Sequence, residues 1–415
     1  MNFFKQSLFI AIPIFSILII IEILIAIKKG LKINNPTDMI SSLSSGITNT
    51  TKAGLQISFI LISYPWLVEN FTLFKIERIG LAIFIAFLIQ DFTGYWMHRL
   101  NHRVNIFWNR HIIHHSSEEF NLSCALRQSI SEMVQFSAIL MIPAAFLGIS
   151  PLIFKIIGPI HLFMQFWYHT RLISKMGWFE KIIITPSHHR VHHAINPEYI
   201  DKNYGQILII WDKLFGTYQK ELINKEPVYG ILNPAKTWNP FIINYKHLWQ
   251  LFLDASRTKK TKDKLRIWFM PTGWRPNDVK EKYPLIFNKN PAEQVKYETR
   301  NSKLFIIWSY FQLSIAGGLM LHFFTIISTK MTYPMYFYGL FLMVHIFAYT
   351  SALDRKKYSI YAESLKFSIL VILLFNEQFF WFGLSQFFGY LLMSYCITSL
   401  AITYYYFFNS KNINI

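Results

Sequence analysis

Apolar residues along this chain gather in long unbroken runs, with neither the stripe of a soluble amphipathic helix nor the alternation of a strand. Nine runs approach the length of about 20 residues that carries a helix across a bilayer core. They lie at roughly 7–27, 53–70, 78–97, 131–149, 152–169, 303–327, 334–351, 360–377 and 380–405. The fourth and fifth are joined by "LGISP", a Gly/Pro break that predicts a tight re-entrant or spanning hairpin. One sizeable stretch is polar, 171–302, rich in Trp, Pro and Asn and without a clean period. It is expected to cap one membrane face rather than stand apart as a domain. The pattern predicts an all-α, polytopic integral membrane protein with about nine transmembrane helices. Four regions follow: N-terminal helices (1–77), a histidine-motif region (78–220), the cap segment (221–302) and C-terminal helices (303–415).

Composition agrees. Hydrophobic residues make up 53% of the 415 and charged residues 15%, more apolar surface than a soluble fold of this size hides. The net charge of +18 would suggest nucleic acid in a soluble protein. In a membrane protein the excess of Lys and Arg in cytoplasmic loops accounts for it, so no nucleic-acid partner is expected. The two cysteines, Cys124 and Cys396, form no Cys-x-x-Cys pair, which supports neither a disulfide framework nor a zinc knuckle. The first apolar run is longer than a signal-peptide core and no small-residue cleavage site follows it, so it is expected to be retained.

Basic residues also give an orientation. "KKGLK" follows the first run and marks that end as cytoplasmic. Alternation then puts the loop with Arg99, Arg103, Arg110 and Arg127, the segment 171–302 and "DRKK" (354–357) on the same side. The expected location is a membrane, the inner membrane in a bacterial cell, with the N-terminus outside and the C-terminus inside.

Against this background the histidines stand out. "HRLNH" holds His98 and His102, "HIIHH" holds His111, His114 and His115, and "HRVHH" holds His189, His192 and His193. Spacings of three and four bring such residues to one side of a helix. His169 ends the fifth run in "QFWYHT". Nine imidazoles at one cytoplasmic membrane edge suit two metal ions better than one, since a zinc ion takes about four ligands. An all-imidazole donor set suits iron, copper, zinc or nickel. No "HExxH" of the zinc proteases occurs, and ligands crowded on one surface argue against haem. A lone interfacial histidine is usually a solvated anchor; three metal-spaced motifs together are not explained that way. His188 is a neighbour of doubtful role, and His161, His247, His322 and His345 receive none. Asp91, two turns before His98, either orients His98 through its second ring nitrogen or anchors the helix end. Arg103, next to His102, points elsewhere on the helix, where it can hold a phosphate or an acidic partner.

The ordered triple His98/His102, His111/His114/His115, His189/His192/His193 resembles the signature HxxxH, HxxHH, HxxHH of the fatty acid hydroxylase, or sterol desaturase, superfamily. "HHSSEEFNLSCALRQS" (114–129), "PSHHRVHH" (186–193) and "DKNYGQILIIWDKLFGTYQ" (201–219) are similar to its ether-lipid-cleaving branch, the alkylglycerol monooxygenases. The resemblance implies a non-haem enzyme with two iron ions, O2 as oxidant, a lipid substrate and tetrahydrobiopterin as reductant. It implies hydroxylation of a lipid C–H bond beside an ether oxygen. Trp96, Phe166 and Trp167 are expected along the path of a tail entering from the bilayer, or as interfacial aromatics. The competing readings are a fatty-acyl, sterol or carotenoid hydroxylase or desaturase and, from another class, a transporter or metal-binding membrane protein. A transporter would place ionisable groups at the bilayer midplane, where Glu22 is the main exception. The topology is checked by reporter fusions: one near Lys260 is expected to report cytoplasm, and an external signal there would overturn the orientation.

Overall fold

The computed structural model describes residues 2–288, 290–327 and 331–409. It is mostly helical, with one two-stranded parallel pair, Phe59–Ile60 against Val134–Gln135. Among the described residues, six helices are long and apolar enough to cross a membrane: Lys5–Lys28, Ile79–Arg103, Lys303–Ile326, Tyr333–Leu353, Ser359–Asn376 and Gln386–Phe408. Ile10, Ile17 and Leu24 of the first and Ile83 and Phe84 of the second lie exposed, as lipid-facing residues do.

Of the three other expected spans, two are broken up and one is a single shorter helix. Residues 53–70 hold a helix end, the strand Phe59–Ile60 and the short helix Tyr64–Phe71. Gln56 takes a left-handed φ of 55° after the first helix, and Ser63 with Pro65 starts the next. Residues 131–149 become a strand, a 3-10 turn and the helix Ile142–Phe146, which stops before Gly148 at φ 58°. The third is the 16-residue helix Pro151–Phe166, short of a full span. These pieces pack as an apolar layer against helix Ile79–Arg103, with Tyr64, Leu67, Ala82, Ala86, Ala144 and Ile153 at the contact. The Tyr64 hydroxyl donates to the Ile149 carbonyl at 2.8 Å.

A helix that the apolar pattern does not reveal, Pro36–Gly54, runs through the middle. Its sequence, PTDMISSLSSGITNTTKAG, is full of Ser and Thr, yet Ser41, Ser42, Ser44, Ser45, Thr48 and Thr51 are buried. Apart from that of Ser41, their hydroxyls are used internally: Ser44 donates to Ile40 O at 2.5 Å and lies 2.6 Å from the Tyr349 hydroxyl, and Thr51 donates to Ile47 O. Small residues let large neighbours close in: a Cβ on Gly54 would stand 2.8 Å from the Phe323 ring. Asn35 caps the helix by accepting from Thr37 N and Asp38 N.

The four C-terminal helices close around Phe323, Phe341, Leu370, Trp381 and Cys396. Glu363 and Lys366, one turn apart in Ser359–Asn376, are both fully buried and paired at 2.5 Å. Ser399 donates to Glu363 and accepts from Lys366. These two charges add to Glu22 as exceptions within the spans. Glu22 itself joins the first helix to the site region, accepting from Leu122 N at 2.7 Å and Thr170 Oγ1 at 2.5 Å.

The polar helix is locked to the histidine region by Arg127. Its guanidinium donates to Ser42 Oγ, Ser116 Oγ and Asp38 Oδ2 at 2.7–2.8 Å, with both charged partners buried. Arg127→Met is expected to destabilise by about 3–5 kcal/mol, because it leaves the Asp38 carboxylate buried without its cation. Adding Asp38→Asn is expected to recover much of the loss; denaturant titration in detergent of the two single variants and the double variant measures the coupling.

Candidate metal centre

All nine histidines singled out by spacing converge, in two groups. His98, His102, His111, His115 and His192 form one; His114, His169, His189 and His193 form the other. Within each group the ligand nitrogens lie within 4.8 Å of one another. The groups adjoin: the rings of His115 and His193 stack at 4.2 Å. Each HxxHH motif feeds both, since neighbours on a helix are about 100° apart. His111 and His115 turn to the first group and His114 to the second; His192 turns to the first, His189 and His193 to the second. The shared-face expectation is refined in that way: one helical side, divided between two centres.

The fold positions each ring from outside. Helix Ile79–Arg103 carries His98 and His102, and the short helix Ile112–His115 follows a turn at His111. Helix Pro186–His193 starts at Thr185, where His188 reaches back to the Thr185 backbone N–H at 3.4 Å. That contact turns the His188 ring to the start of the helix, and the ring joins neither group.

Four Nδ1 atoms face backbone carbonyls: His98 to Tyr204 at 2.8 Å, His114 to Arg127 at 3.3 Å, His169 to Gln165 at 2.9 Å and His192 to Lys202 at 2.9 Å. A carbonyl can only accept, so each of these Nδ1 atoms carries its hydrogen and leaves a bare Nε2 lone pair inside. His114 Nε2 and His169 Nε2 then confront each other at 3.3 Å with no hydrogen between them. Two facing lone pairs repel unless a cation lies between the nitrogens. His102 Nε2 is buried with no hydrogen-bond partner among the described residues. The donor set therefore fits a pair of metal ions, and imidazole nitrogen suits iron. Burial, reinforced by neighbouring imidazoles, holds His111, His115, His169, His189, His192 and His193 well below the ordinary imidazole range and His114 at about 3. The rings are therefore neutral, the form that binds metal.

Asp91 does not touch His98. Its carboxylate accepts from Ile207 N at 3.0 Å, Leu208 N at 3.1 Å, Trp211 Nε1 at 2.9 Å and His161 Nε2 at 3.0 Å. Asp212, which spacing did not single out, accepts from Tyr204 N and Gly205 N, both at 2.7 Å. The two carboxylates hold the segment 204–212, and that segment presents the Tyr204 carbonyl to His98. Of the two readings, a direct contact with His98 or an anchor at the helix end, the first is replaced by a link through the loop 204–212, and His161 is a further partner of Asp91. Gly205 is needed for this clamp, since a Cβ there would stand 2.8 Å from Asp212 Oδ2. Phe166, expected along a lipid path or as an interfacial aromatic, is buried and stacked on Phe15 at 4.1 Å. Trp96 packs on Tyr95 and Phe215. An apolar groove of about 370 Å³ opens between helices Ile79–Arg103 and Pro151–Phe166, lined by Ile83, Phe84, Phe87, Ile160 and His161.

Comparison with known proteins gives a family model, "Fatty acid hydroxylase", matched by residues 83–217. The alkylglycerol monooxygenase of Homo sapiens is 36% identical over 311 residues, covering 74% of this chain and 68% of the relative. That of Danio rerio is 39% identical over 274 residues, 64% of this chain and 59% of the relative. The ornithine lipid hydroxylase OlsE of Rhizobium tropici is 30% identical over 182 residues, 41% of this chain and 55% of the relative. No solved structure matches. His192→Ala and His114→Ala are expected to lower bound metal directly. Asp91→Asn is expected to weaken metal affinity by a milder factor of about 10–100, as loss of outer support does. Metal analysis after anaerobic purification checks the order, and full metal retention by both alanine variants would exclude these rings as ligands.

Proposed function

The chain belongs to the fatty acid hydroxylase family, and from that premise we propose that it is a membrane-bound di-iron monooxygenase that cleaves the ether bond of alkylglycerols. One observation carries the metal part of this reading: bare imidazole nitrogens of His114 and His169 facing each other 3.3 Å apart inside a buried, all-nitrogen donor set. Similarity to alkylglycerol monooxygenases over most of the chain supports the substrate. His98, His102, His111, His115 and His192 would hold one iron, and His114, His169, His189 and His193 the other. The iron pair, when bound, supplies activation of O2 and oxidation of a C–H bond.

The protein's own residues do the rest. Tyr204, Lys202, Arg127 and Gln165 carbonyls fix the rings so that every one of their partners presents Nε2 inward. Phe120, buried against His169 and His193, and Tyr168, against His189, keep water from the second group. The apolar groove beside His161 suits an alkyl tail arriving from the bilayer. Hydroxylation of the carbon beside the ether oxygen consumes O2, two electrons and two protons and releases water. The hemiacetal so formed collapses to a fatty aldehyde and the glycerol alcohol. The basic loops support a cytoplasmic face for the site, and tetrahydrobiopterin is the proposed reductant.

Supplied with an alkylglycerol, O2 and tetrahydrobiopterin, the purified protein is expected to release fatty aldehyde. Aldehyde only with a ferredoxin-type donor would reject the pterin and keep the chemistry. A hydroxylated acyl chain or sterol with no ether lipid consumed would replace the substrate.

A further inference from the structure

A second cavity, of about 500 Å³, opens beside the first histidine group and differs from the apolar groove in character. Its walls include Arg99, Arg103 and Lys202, against the single carboxylate of Asp201. The carboxylate is already engaged, accepting from Arg103 at 2.6 Å. Arg99 donates to the Tyr95 hydroxyl at 2.9 Å and lies over the Trp96 ring, and it has no carboxylate partner among the described residues. Nor does Lys202. Two cations are therefore left for something else. The Tyr204 hydroxyl, on the same wall, is buried beside Asp201 and Arg103.

The cavity is close to the chemistry. The Tyr204 ring that lines it lies 5.2 Å from His102 and 5.8 Å from His98, so one aromatic ring separates the cavity from the ligand nitrogens. The backbone of the same wall fixes two of those ligands, through Tyr204 O to His98 and Lys202 O to His192. Asp201 and Asn203 hold left-handed φ values of 60° and 55°, a conformation Asp and Asn tolerate better than most residues. Asn203 is pinned by His188 O, Gln219 O and Gln219 N. The wall is thus a fixed structure. Its volume suits a small ligand, and its charge suits an anion. Guanidinium and ammonium groups are the usual donors to a phosphate.

We propose that this cavity binds a phosphate ester, carried on the polar head of the lipid substrate or on a soluble molecule, beside the first histidine group. The inference rests on the monooxygenase reading for its lipid, but binding can be measured without turnover. The test uses the full chain in an uncharged maltoside detergent, without O2 or reductant, followed by intrinsic tryptophan fluorescence. The probes are hexadecylglycerol, hexadecylglycerol phosphate, glycerol phosphate and inorganic phosphate. The phosphorylated ether lipid is expected to bind about tenfold more tightly than the uncharged one, the effect of about one charge-assisted hydrogen bond. The preference is expected to shrink as salt is raised. Lys202→Gln is expected to reduce it by about threefold or more, with Lys202→Arg retaining it. Displacement by glycerol phosphate or inorganic phosphate would assign the site to soluble esters as well; failure of both to compete would restrict it to the lipid head. Equal affinity for the charged and uncharged lipids would overturn the proposal, as would a preference untouched by Lys202→Gln and Arg99→Gln. If phosphate binds but no ether lipid is ever cleaved, the cavity stands and the oxygenase reading falls. If uncharged alkylglycerol is cleaved with no phosphate preference, the reverse holds.

Discussion

Everything near the histidines follows from a proton-accounting constraint on imidazole. A neutral ring has one N–H and one lone pair, and a metal takes the lone pair. To turn Nε2 inward, the protein must give Nδ1–H an acceptor on the outside. Four rings have one in a backbone carbonyl: Tyr204, Lys202, Arg127 and Gln165. Those carbonyls come from three separated places in the chain, around 127, 165 and 202–204, so the tertiary structure has to bring them there.

Much of the remaining architecture serves to hold those carbonyls. Asp91 and Asp212 collect backbone N–H groups from 204–208 and so fix the Tyr204 carbonyl. Arg127 is fixed by Asp38, Ser42 and Ser116, which explains why a helix as polar as Pro36–Gly54 is buried at the centre of a membrane protein. Glu22 joins the first helix to Leu122 and Thr170, next to His169. These buried carboxylates each meet several donors, the condition under which a buried charge is tolerable. Burial also keeps the imidazoles outside the spans neutral, so the same packing that excludes water prepares the ligands.

The two cavities divide the surroundings of the first group and its helix by polarity. The groove along Ile83, Phe84 and Phe87 is apolar and lies on the flank of helix Ile79–Arg103; the one at Arg99, Arg103 and Lys202 lies at the helix end and is cationic. An amphipathic molecule with an alkyl tail and an anionic head matches that division along one helix.

What the sequence by itself determined was local. The nine ligand candidates, the helical character and six of the nine spans follow from spacing and from runs of apolar residues, because both signals act over one or two helical turns. Arg103 found an acidic partner, Asp201, as its position on the helix allowed. The tertiary structure decided what depends on distant contacts. It split each HxxHH motif between two centres, since only packed helices fix which way a ring turns. It assigned Asp91 to a loop 116 residues away rather than to the nearby His98. It broke two apolar runs into shorter pieces, where capping residues and left-handed turns outweigh hydrophobicity. And it buried a Ser/Thr-rich helix that carries no hydrophobic signature, because most of its hydroxyls bond within the helix or to partners such as Tyr349 and Arg127.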